Sequence, residues 1–121
     1  MDQWPEVDRR VLDRRAGVLG ADGMAEVLGA YVRDFERLVD GLRTGFAQGD
    51  VAALERHAHT LKGACASLGA DALAQLCAHL EVELRARGTD TPGTLLLDIE
   101  QRLARALGEW RALLHEYAAR A

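Results

Sequence analysis

Apolar side chains recur in this chain at steps of three and four residues in four successive stretches, the third with an adjacent pair, Leu76 and Cys77. These are Met24, Leu28, Tyr31, Phe35, Leu38 and Leu42; then Val51, Leu54, Ala58, Leu61, Cys65 and Leu68; then Leu73, Leu76, Cys77, Leu80 and Leu84; and finally Leu96, Ile99, Leu103, Ala106, Trp110, Leu113 and Tyr117. That step is the period of one helix face, and no strand-like alternation competes with it. Helix punctuation separates the stretches. Asp22 is placed to N-cap the first, and Gly49 to end it before Asp50 caps the second. Gly69 breaks the second ahead of an Asp71 cap, and Gly88 closes the third ahead of a Thr91–Pro92 pair read as N-cap and first helical residue. A shorter segment carrying Val7, Val11 and Leu12 opens at Pro5 and predicts a helix over about residues 5–16. Short connections force antiparallel neighbours. The expectation is an all-α chain: an antiparallel up-down-up-down four-helix bundle over about residues 22–119, with a short N-terminal helix packed over one end and a single domain spanning 1–121.

Composition narrows the function classes. A net charge of −4, with no basic stripe, argues against a nucleic-acid partner. No apolar run approaches the ~20 residues that span a bilayer, so no membrane is expected. The start MDQWPEVDRR has no apolar signal-peptide core, which points to the cytoplasm. The initiating Met and the absence of a linker at either end point to a free-standing protein, expected to be a monomer. Cys65 and Cys77 both fall on apolar helical positions and read as reduced core residues.

One stretch does not fit a bundle that only needs to fold: HAHTLKGACASLGA, residues 57–70. On a helical wheel His59 lies roughly 140° from the centre of the apolar stripe and faces water, whereas His57 lies roughly 60° away, at the boundary. The neighbours of His59 on its own face are Glu55 and Arg56 one turn earlier and Lys62 and Gly63 one turn later, with Ala66 beyond. A glycine in the middle of an exposed helix costs ~1 kcal/mol relative to alanine. Something gains from the missing side chain, and the simplest physical answer is close approach by another molecule. An exposed imidazole, with a reference pKa of ~6.5, has a large neutral fraction at pH 7 and can act as a nucleophile. Lys62 stands where it can offset the charge of a phosphoryl group on that ring.

The run His59-Thr60-Leu61-Lys62-Gly63-Ala64-Cys65, followed by Leu68-Gly69-Ala70, resembles the signature of the histidine phosphotransfer (HPt) domains of bacterial multistep phosphorelays. The likeness extends over about residues 22–117: VRDFERLVDGLRTGFAQGDVAALERHAHTLKG resembles the family's two central helices, and LCAHLEVELRARG the next. The resemblance implies a phosphocarrier in which His59 is phosphorylated, Lys62 stabilises the added charge and Gly63 gives the partner access. It also implies the partners: response-regulator receiver domains, which bring their own Mg²⁺ and acidic pocket, and a hybrid sensor histidine kinase. No cofactor of the chain's own is expected. With no P-loop or Gly-rich nucleotide loop, it is not expected to be an enzyme that makes its own phosphohistidine from ATP. Glu55, Arg56, Ala66 and Arg85 are the candidates for the docking surface. Glu81, level with His59 across an antiparallel pair, is placed on the rim without a role in transfer, because its charge would oppose a phosphoryl group.

Two other classes of function compete with this one. A metal site from His57, His59, Cys77 and His79 is disfavoured, since residues two apart on a helix diverge by about 200° and no Glu-x-x-His pair is present. An adaptor that docks partners without phosphotransfer is the alternative to the carrier. His57, His79 and His115 read as ordinary boundary or surface residues.

Overall fold

The computed structural model describes residues 5–121, so the first four residues of the expected domain lie outside it. Helix α1 spans Arg9–Gln48, α2 Val51–Ser67, α3 Asp71–Arg87 and α4 Gly93–Arg120, with a turn of 3-10 helix, Gly88–Asp90, before α4. No strand occurs among the described residues. Each connection is at most five residues long, so successive helices reverse direction, and α1 closes the bundle against α4. The four apolar seams meet in one core. At its centre the rings of Phe35 and Trp110, both fully buried, stack 4.6 Å apart, and Trp110 Nε1–H donates to the Leu68 carbonyl at 3.1 Å.

The short N-terminal helix is the first part of α1. It ends at Gly20, whose φ of 80° and ψ of 163° break the helix in a region open essentially to glycine alone. Leu12 is buried beneath this segment, and the Asp8 N–H donates to the Gly69 carbonyl at 2.9 Å. Gly69 itself has φ 81°, and a Cβ there would stand 2.7 Å from the Asp8 carbonyl oxygen, so the α2–α3 turn and the N-terminal segment fit only around a glycine.

Helix starts differ from the sequence expectation in ways that have local causes. The N-terminal helix begins at Arg9, not Pro5, with Asp8 as its N-cap. The N–H groups of Glu6 and Val7 instead donate to the Glu109 carboxylate, each at 2.9 Å, and Glu6 pairs with Arg102 at 3.0 Å and Arg105 at 2.8 Å. Residues 5–8 are therefore a non-helical strap tied to α4. Asp22 does not open a helix after a loop, since the chain is helical again directly after Gly20. Asp71 is the first residue of α3 with Ala70 in the cap position, and Pro92 rather than Thr91 precedes α4, because the Thr91 hydroxyl donates back to the Gly88 carbonyl at 2.8 Å. Asp50 caps α2 as expected, accepting from the Ala53 N–H at 3.1 Å.

The N-terminal helix is also held by Tyr117, whose hydroxyl donates to Asp13 Oδ1 at 2.6 Å. Burial, then this hydrogen bond, push the phenol up to about 12. Stability from this contact is fully present below the ordinary phenol value of ~10 and is lost as pH rises from there through the folded value. Tyr117→Phe is expected to cost about 1 kcal/mol, the low end for a charge-assisted bond because Asp13 is half-exposed. The check is thermal melting by circular dichroism: the variant should melt lower at pH 8 and lose the fall in stability above pH 10 that the wild type shows.

Candidate functional site

The face of α2 that turns from the core carries His59 and Lys62, and α3 answers with Glu81 and Arg85. His59 is 71% exposed at the side chain, while the Glu81 side chain directly beneath it is only 6% exposed. The contrast follows from helical phase: Glu81 is one residue past Leu80 and three before Leu84, on the edge of α3's apolar stripe, and the antiparallel α2–α3 pair closes over it. The carboxylate meets three cationic or ring nitrogens. His59 Nδ1 is 3.3 Å from Oε2, Arg85 Nη2 is 3.3 Å from the same oxygen, and Lys62 Nζ is 3.0 Å from Oε1. The Lys62 contact is an ion pair without hydrogen-bond alignment, which leaves Oε1 buried with no aligned donor.

Burial alone would push the Glu81 carboxyl up, but its contacts with Lys62 and then His59 outweigh that, and it is held below the ordinary carboxylate range. Glu81 is therefore ionised at neutral pH and acceptor-only. Its contact with Nδ1 then requires Nδ1 to carry the N–H and donate to Glu81, so in the neutral ring the lone pair is on Nε2. The arrangement sets the Nδ1 edge of the imidazole against a buried anion, with an ammonium and a guanidinium beside it. It can attack an electrophile that arrives from solvent, and it favours one that brings negative charge. Space for that approach exists, because a Cβ at Gly63 would meet no atom within 4 Å and Ala66 is exposed further along.

The model of the Hpt domain family matches residues 16–119. The chain belongs to that family. The crystal structure of histidine-containing phosphotransfer protein B (HptB) from Pseudomonas aeruginosa PAO1 superposes on this Hpt domain with a TM-score of 0.84 and 28% sequence identity, over 93% of this chain and 97% of that one. No curated protein matches the sequence.

Of the residues named from the sequence, this Hpt domain brings His59, Lys62 and Arg85 into one cluster and leaves Gly63 and Ala66 open beside it. Glu55 and Arg56 lie one turn before His59 on α2; among the described residues no ion pair or side-chain hydrogen bond joins either to the cluster. Glu81 is what the sequence reading missed. Its charge suggests a place on the rim, whereas the structure makes it the buried centre of the site. The available signal was the register about Gly69–Ala70, which puts residue 81 level with 59, combined with its place beside Leu80 and Leu84. His57 is spent elsewhere: its ring packs on α1 at Gly41, where a Cβ would come within 2.5 Å of Nε2. Cys65 and Cys77 are buried free thiols, and hydrogen bonding between them together with burial pushes the Cys65 thiol up, away from reactivity. No helix of the described residues is long and apolar enough to cross a membrane.

Proposed function

We propose that this Hpt domain is a phosphocarrier that passes a phosphoryl group between receiver-domain aspartates through His59. The observation that carries the reading is an exposed imidazole whose Nδ1 lies 3.3 Å from a buried carboxylate, beside the open space at Gly63. In the accepting step the phosphorus–oxygen bond to the receiver aspartate breaks, its electron pair returns to that carboxylate, and the Nε2 lone pair forms the new bond. In the donating step the same events run in reverse with a second receiver. The receiver supplies Mg²⁺ and the acidic pocket; this chain supplies an oriented nucleophile, local positive charge and clearance. It is a carrier and not a catalyst of turnover, and the group originates in a hybrid sensor histidine kinase.

Lys62 faces the group after transfer. On the exposed face an ion pair contributes only about 0.5–1 kcal/mol, or roughly two- to five-fold in rate or lifetime. Lys62→Ala should therefore slow transfer or shorten the phosphohistidine lifetime by that factor, measured as decay of label at fixed pH; the variant should stay folded but melt lower, because the buried Glu81 Oε1 loses its ion-pair partner.

The experiment that tests the reading is incubation with a panel of phosphorylated receiver domains. Label on this chain that is lost in acid and survives base supports the carrier. A folded chain that takes no label from any receiver overturns it in favour of the adaptor.

A further inference from the structure

Glu81 has more to do than fix a tautomer before the reaction. We propose that its carboxylate keeps the Nδ1 proton on the phosphorylated ring as well, so that Glu81 is the positioning residue that makes the protein a good donor. The inference rests on the phosphocarrier reading and extends it to the second half of the cycle.

Once Nε2 bears phosphorus, a ring that keeps its Nδ1 proton is a phosphoryl-imidazolium. When the nitrogen–phosphorus bond breaks, its electron pair goes to Nε2, phosphorus bonds to an incoming oxygen, and neutral imidazole leaves. If the Nδ1 proton has been lost, the leaving group is an imidazolate, a far stronger base, and donation is slow. The protonated fraction is therefore open to control by whatever faces Nδ1.

The groups that face it are few. From α3 come Glu81, with Oε2 at 3.3 Å, and Arg85; from α2 itself come Lys62 and, one turn back, Glu55 and Arg56. Helix α1 meets α2 on the opposite side, where Gly41 lies against His57 and Gly45 against Leu54, and contributes none. Lys62 and Arg85 oppose a positive ring, but both are paired to the same carboxylate that stabilises it. Because Glu81 is 5% exposed, solvent screens its field little, whereas the two cations are open to water at 36% and 65%. Glu81→Gln keeps an oxygen that can accept from Nδ1 but removes the charge and leaves both cations unpaired around the ring. The ring proton should then be lost at a pH lower by about one to two units, the usual effect of a close charge partner.

The test uses phosphoramidate, a small phosphoryl donor that needs no partner protein, with His59→Gln as the control for label elsewhere. The phosphorylated protein is followed by ¹⁵N resonance of the ring and by the rate of hydrolysis across pH 5–9. The expected result is a midpoint for the wild type about one to two units above that of Glu81→Gln, with hydrolysis falling at correspondingly lower pH in the variant. Glu81→Asp, which restores the charge, should recover part of the shift. Should Glu81→Gln not fold, the wild-type midpoint against free phosphohistidine decides: a raised value supports the inference. Coincident midpoints in wild type and variant, or a wild type matching free phosphohistidine, overturn it while leaving the carrier intact. A wild type that phosphoramidate does not label at His59 overturns both.

Discussion

His59→Gln should carry no acid-labile label from any phosphorylated receiver, while melting within about 0.5 kcal/mol of the wild type. Both halves follow from geometry. The ring is mostly exposed, so removing it leaves no cavity. A glutamine amide can donate to Glu81 in place of Nδ1–H, so the buried carboxylate keeps three partners and the cluster stays assembled. What the amide lacks is a nucleophilic nitrogen lone pair, since its electrons are delocalised into the carbonyl. Loss of label should therefore be complete, and superimposed circular dichroism melts should show that the fold is intact. Residual label at the wild-type level would place the acceptor at another residue, and His57, His79 and His115 would be mapped next.

Gly63→Glu separates access from folding more sharply, because its two effects run in opposite directions. Position 63 lies inside α2 with open space where a side chain would go, so any residue fits and helix propensity favours glutamate by roughly 0.5–1 kcal/mol. The variant should melt a few degrees higher. Transfer from a receiver should nonetheless fall at least ten-fold, about 1.4 kcal/mol in the barrier. The new carboxylate stands one turn from His59, where it meets the receiver's acidic pocket with like charge and fills the approach path. Labelling by phosphoramidate, which needs no docking, should fall much less. A more stable variant that accepts from receivers at the wild-type rate would remove Gly63 from the docking argument.

The four seams were legible because burying one stripe per helix imposes a period that side chains such as Leu28, Leu61, Leu80 and Leu103 must obey wherever the partner helix lies. Helix starts were less so, each being decided by a competition for one hydrogen bond. Thr91 could have capped α4, but its hydroxyl turns back to Gly88. The strap at Glu6 and Val7 was beyond local reading altogether, as the group that holds it is Glu109, about a hundred residues along the chain. The site divides in the same way. His59, Lys62 and Gly63 share one helix face and could be placed by counting. The charge of Glu81 alone argues against a place beside a phosphoryl group; what sequence does not show is that the carboxylate is buried and paired with Lys62 and Arg85 under His59, and burial is a property of the pair of helices.

That division has a consequence for the chain before it is complete. His59 is synthesised some twenty residues ahead of Glu81, and in a nascent or unravelled polypeptide the histidine samples both tautomers without its anion. The contact that orients the ring thus arises only when α2 and α3 dock in register. A misfolded copy carries the same motif without the buried carboxylate that orients its ring.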